Sequence, residues 1–111
     1  MKFKKQTITV VRADGTRREH MPALVCNGVA VHAPLHSLGG WTVSHAASGM
    51  KVGHCATQKA ARELAALFLD AATAAGMPME MSDVQALQTW ARENRAQFKA
   101  YGEARREYAF R

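Results

Sequence analysis

The chain has 111 residues, with 15 Lys and Arg against 9 Asp and Glu, a net charge of +6 and an isoelectric point near 9.8. A chain of this length forms one hydrophobic core and buries roughly two thirds of its unfolded surface, so a domain spanning residues 1–111 needs no disulfide to stand. No apolar run approaches the roughly 20 residues of a membrane span, the opening MKFKKQTITVVRADG lacks a signal peptide's apolar region, and Cys26 and Cys55 fit a reducing compartment as free thiols, so a cytoplasmic protein with no membrane partner is expected.

QTITVVR alternates as a strand should, with Ile8 and Val10 on one face, and ADGT after it is a turn signal. In ALVCNGVAVHA, Asn27-Gly28 suits a type I′ turn, because both of its central residues need positive φ. Pairing outward from that turn sets Cys26 opposite Val29 and Leu24 opposite Val31. Val25 and Ala30 make the other face apolar too, which points to cover on both sides of the sheet. APLHSLGG reads as a loop.

WTVSHAASGMKVGHC reads as a second hairpin in one of two registers. A two-residue turn at Ser48-Gly49 pairs His45 with Val52 and Val43 with His54, so that both histidines share a face. A three-residue loop from Ala47 to Gly49 puts them on opposite faces. The expected surroundings of Trp41, His45, His54 and Cys55 are the sheet face on which the first helix packs, with the histidines at its wetter edge.

Thr57 is a good N-cap, and QKAARELAALFLDAATAAG is rich in helix formers, with Ala61, Leu64, Leu67, Phe68 and Ala71 along one side. Gly76 and Pro78 end that helix. Met77, Met79 and Met81 alternate in the extended connection and are expected to cover the core. Ser82 with Gln85 reads as a capping box for a second helix over residues 82–108, whose apolar stripe runs from Val84 and Leu87 to Tyr108. Gly102 interrupts it, allowing a bend or a close contact. The expectation is a two-layer α+β domain: an antiparallel sheet of about four or five strands in residues 1–56, then helices over 57–76 and 82–108.

Cys26, His32, His36, His45, His54 and Cys55 are the only conceivable ligand set, but no C-x-x-C or H-E-x-x-H spacing fixes a geometry, so no metal or other cofactor is expected. Cys55, just before a helix start, is the best nucleophile candidate, with His45 and His54 as its partners to test. A packed thiol at a strand end explains it more simply, and a non-enzymatic protein is expected.

Positive charge gathers at the two ends: residues 1–20 carry +4, residues 21–91 carry −1 and residues 92–111 carry +3. Arg92, Arg95, Lys99 and Arg106 fall at offsets of three, four and seven, which lines one helix face with cations able to track phosphates. Lys99 with Glu103 is the competing explanation, an intrahelical ion pair. Lys4 and Lys5 at the N-terminus and Arg17 and Arg18 at the first hairpin add to the basic face if the fold brings the ends together.

The pattern W-T-V-S-H-x-x-S-G-x-x-V followed by T-x-x-x-A-x-x-x-A, over residues 41–72, resembles small sheet-plus-helix accessory proteins of bacteriophages and integrative elements. It is similar also to the arm-binding domains of phage-type integrases, which lack a counterpart of the second helix. The resemblance implies a non-catalytic protein of a mobile element that touches nucleic acid or a nucleoprotein machine, a group that includes the anti-CRISPR inhibitors. Two functions are therefore expected. The first is nucleic-acid binding through the basic residues. The second is inhibition of, or adaptation to, a host protein or nucleoprotein complex through Trp41, the Met77–Met81 segment, Trp90, Phe98 and Tyr101.

Overall fold

A computed structural model describes residues 2–11, 18–34 and 39–111. The strands β1 (Lys4–Val11), β2 (Arg18–Cys26), β3 (Val29–His32), β4 (Trp41–His45) and β5 (Met50–Cys55) form an antiparallel meander in chain order. The helices α1 (Gln58–Ala75), α2 (Val84–Glu93) and α3 (Lys99–Tyr108) follow, with a single 3-10 turn, Arg95–Phe98, between the last two. The fold is α+β, as expected. Among the described residues, no helix is long and apolar enough to cross a membrane.

Asn27 and Gly28 take φ of 50° and 85°, and the register Cys26↔Val29, Leu24↔Val31 is the one the turn chemistry predicts. Val29, Val31, Val43 and Cys55 face α1 and pack on Ala61, Leu64, Ala65 and Phe68. Ile8, Val10, Ala23, Val25 and Ala30 form a second buried cluster on the opposite face, so both sides of the sheet are apolar for the reason the alternation gave.

α1 is capped as predicted: Thr57 Oγ1 accepts from the Ala60 amide at 3.2 Å, and Gly76 closes the helix at φ 72°. Its buried side is Ala60, Ala61, Leu64, Ala65, Phe68 and Ala72. Leu67, expected inside, is 39% exposed, and Ala71 is half-buried. The true stripe is rotated away from Leu67 because α1 is also flanked by α3 and the 3-10 turn. Met77 is buried, and Met79 and Met81 pack half-buried against the same core, as expected.

Three local expectations need correction. The β4–β5 loop has four residues, 46–49, so His45 pairs with Met50, and a bulge opposite Val43/Ser44 leaves Val52 without a partner in the register. Neither expected register forms, although the histidines do part onto opposite faces. Asp83, not Ser82, caps α2, its Oδ1 accepting from Gln85 and Ala86 amides at 3.0 and 3.2 Å. The second helix is broken at Asn94 rather than at Gly102, making three helices instead of two. The Asn94 side-chain amide donates to Trp90 O at 2.9 Å, competing with the backbone for that carbonyl and ending α2. The turn that follows lays α3 against both α1 and β5.

Gly53 permits this close approach: a Cβ there would stand 2.7 Å from Leu64 Cδ2 and 3.1 Å from the Tyr101 hydroxyl. Gly102 is the opposite case, since a Cβ on it meets nothing within 4 Å. Gly53→Ala is therefore expected to destabilise the protein by about 1–3 kcal/mol through overpacking, and Gly102→Ala to stabilise it by about 0.5–1 kcal/mol through helix propensity. Urea unfolding of the two variants checks the opposite signs.

Candidate functional site: a basic groove with an aromatic floor

The break at Asn94 shapes the site. Because α3 starts anew at Lys99, the positions Lys99, Gly102, Glu103 and Arg106 stack along one stripe. Between that stripe, the 3-10 turn and β5 lies a groove of about 790 Å³. Phe68, Trp90, Phe98 and Tyr101 line its floor with Met50 and Met77. The rings are locked together: Phe68 meets Tyr101 edge-on at 5.1 Å between centroids, and Trp90 meets Phe98 edge-on at 6.0 Å. Trp90 and Phe98 are half-buried and present part of their surface to solvent.

Tyr101 anchors α3 to the sheet. Its hydroxyl donates to Val52 O at 2.6 Å, satisfying a carbonyl at the bulge. Burial pushes its pKa well up, which the neighbouring Arg105 charge opposes and Cys55 reinforces, so it stays a neutral donor.

Among the described residues, Lys51, Arg95, Lys99, Arg105 and Arg106 line the groove with Glu103 as the single acid. Among the described residues, none of these six side chains forms an ion pair within 4.0 Å, and the Lys99–Glu103 pair is not made. Five cations against one acid thus face a mostly apolar floor. Of the basic residues expected from the sequence, Arg95, Lys99 and Arg106 come together here. Arg92 sits on α2 ahead of the break and does not line the groove. Arg105 and Lys51 were missed. The restart of α3 brings in the first, and strand pairing brings in the second, neither of which a continuous helical wheel can show.

The two ends of the chain do not form one basic face. β1 and β5 are opposite edges of the sheet, about 19 Å apart across four strand spacings. Lys4 and Lys5 are exposed on β1, where Lys4 borders a separate cavity of about 480 Å³ that, among the described residues, shares no lining with the groove. Arg18 begins β2. Arg17 and His36 lie outside the described residues, as does the Arg18 side chain.

A smaller cavity of about 440 Å³ continues the groove past Gly102, Arg105 and Arg106, with Lys51, His54 and Ala109 completing its wall. His54 pairs with Thr42 on the sheet face turned away from α1, with a long 3.5 Å contact from Thr42 Oγ1 to its Nδ1. Burial and the Lys51 charge both lower its pKa, so the ring is neutral near pH 7.

His45 and His32 are structural. His45 is fully buried on the helix face, not at a wet edge: its Nε2–H donates to Pro78 O at 3.2 Å, and Nδ1 receives the Ser48 hydroxyl at 2.8 Å. It ties the β4–β5 turn to the connection that follows α1. His32 Nδ1–H donates to Ala33 O at 2.6 Å and its Nε2 accepts from the Ser44 hydroxyl at 2.7 Å. Cys55 is fully buried, and burial together with the Glu63 charge pushes its thiol pKa up, which opposes nucleophilic use. Among the described residues, no three His, Cys, Asp or Glu side chains converge as a metal site would require.

No protein-family model, curated protein or solved structure matches this chain.

Proposed function

We propose that this is a non-enzymatic nucleic-acid-binding module whose interface is the groove of α2, the 3-10 turn, α3 and β5, and whose ligand is single-stranded. The observation that carries this reading is a concave surface whose five cations form no ion pair among the described residues, above a floor that includes Trp90 and Phe98. Single strands are held by that combination: cations follow the backbone while aromatic rings stack exposed bases without regard to sequence. A duplex offers no free base faces to the floor. The resemblance over residues 41–72 suits an accessory protein of a phage or mobile element.

Fluorescence anisotropy with labelled single- and double-stranded oligonucleotides at two salt concentrations tests it. Lys99→Glu with Arg106→Glu is expected to weaken single-strand binding on the order of 10-fold or more and to lower the salt slope by about 1.4, from two phosphate contacts. Arg92→Gln, off the groove, should change affinity less than about 3-fold. Wild-type binding that ignores salt would overturn the proposal.

The two methionines in the floor, Met50 and Met77, favour a second reading: an inhibitor or adaptor whose partner is an acidic, apolar surface of a nucleoprotein complex. That partner should survive nuclease treatment in a pull-down and be lost with the same double variant.

A further inference from the structure

We infer that the small cavity at the end of the groove is a pocket for a terminal phosphate, so that the protein prefers a strand ending in a phosphomonoester. The inference rests on the groove being the nucleic-acid interface. The cavity shares Lys51, Gly102, Arg105 and Arg106 with the groove, so a strand lying along the floor continues into it.

The chemistry changes at that point. The groove floor is aromatic, but among the described residues the lining of the end cavity adds only His54 and Ala109 to the shared residues and contains no Phe, Tyr or Trp and no acid. Among those residues the one ring a base meets is the His54 imidazole, against four larger rings on the groove floor. A phosphate finds three cations, two of them arginines able to bond two oxygens at once. An internal phosphodiester carries one negative charge, whereas a terminal phosphomonoester carries about −1.5 to −2 near pH 7. Among the described residues Lys51, Arg105 and Arg106 are free of ion pairs, so this concentration of positive charge suits the doubly charged group best.

Gly102 supports the same assignment independently. It stands within α3, where glycine is disfavoured, and packing does not require it, because a Cβ there touches nothing within 4 Å. It lines both cavities. Without a side chain at that position the passage from groove to end pocket stays open, which is the use a helix interior has for glycine when a ligand runs past it.

The test compares wild type with Ala109→Glu, an exposed position that borders the end pocket and not the groove. Three labelled oligothymidylates are titrated, carrying a 5′-phosphate, a 3′-phosphate or neither, with the dye on the other end. A phosphate on one of the two ends should tighten wild-type binding about 10-fold, and Ala109→Glu should erase that gain while leaving the unphosphorylated strand within about 3-fold. Equal binding of all three oligonucleotides by wild type overturns the end pocket and leaves the groove standing. A gain that persists in Ala109→Glu overturns it as well. Failure of every oligonucleotide to bind overturns the groove and the pocket with it.

Discussion

Leu64→Ala is expected to cost about 3–5 kcal/mol, and Leu67→Ala, three residues on, less than about 1 kcal/mol. Leu64 is fully buried between β5 and the helices, with Cδ2 close enough to the Gly53 backbone to forbid even a methyl group there. Deleting its side chain loses the transfer energy of three carbons and leaves a cavity the surroundings cannot fill, because Val43, Phe68 and Tyr101 are held by the sheet, by ring packing and by a hydrogen bond. Leu67 is 39% exposed and gives up far less. Thermal unfolding should show a fall of more than about 12 °C for Leu64→Ala and only a few degrees for Leu67→Ala. Similar losses at the two positions would mean that the stripe reads as the simple helical wheel has it, with Leu67 inside.

That contrast shows what kind of information the sequence holds. Where one residue type answers one local demand, the reading succeeds: Asn27-Gly28 takes positive φ and sets the register of β2 and β3, Thr57 caps α1 and Gly76 ends it. Alternation at Val25 and Ala30 likewise revealed the second apolar face. Where the outcome depends on partners distant in the chain, the local pattern is ambiguous or misleading. Asn94 is only a mildly poor helix former, and the apolar spacing runs straight through it, so nothing local marks the break. The bulge at Val52 makes sense only once α3 supplies a hydroxyl for its carbonyl.

The candidate site divides in the same way. Arg95, Lys99 and Arg106 were legible as a basic stripe, and the aromatic residues beside them were legible as candidates for contact. Joining the two into one groove required the break at Asn94, which removed Arg92 and admitted Arg105, and it required β5 to place Lys51 opposite α3. The concentration of charge at the chain ends was read correctly as composition. It does not make one surface, because a meander of five strands puts its first and last members at opposite edges.

Acidification below pH 6.5 is expected to destabilise the fold steeply, through His32 and His45. Both are buried as neutral rings, and burial lowers both pKa values below 6.5, with hydrogen bonds to the carbonyls of Ala33 and Pro78 opposing the shift. The unfolded chain binds these two protons as the pH drops through 6.5, whereas the folded chain resists them. The stability contributed by the neutral rings is thus complete above 6.5 and is lost as the pH falls towards the folded values. Each fully withheld proton is worth about 1.4 kcal/mol per pH unit, so the pair sets an upper bound of about 3 kcal/mol per unit on their contribution to the slope. The geometry explains the resistance at His45: the Ser48 amide points at Nδ1 from 3.3 Å, and a proton there would set one donor against another. His45→Gln removes one titrating group, so whatever it does to stability at pH 7, the slope below pH 6.5 should fall. Urea titrations across that range measure the slope directly, and a wild-type stability that stays level from pH 7 to 5 would show that the buried rings accept their protons without opposition.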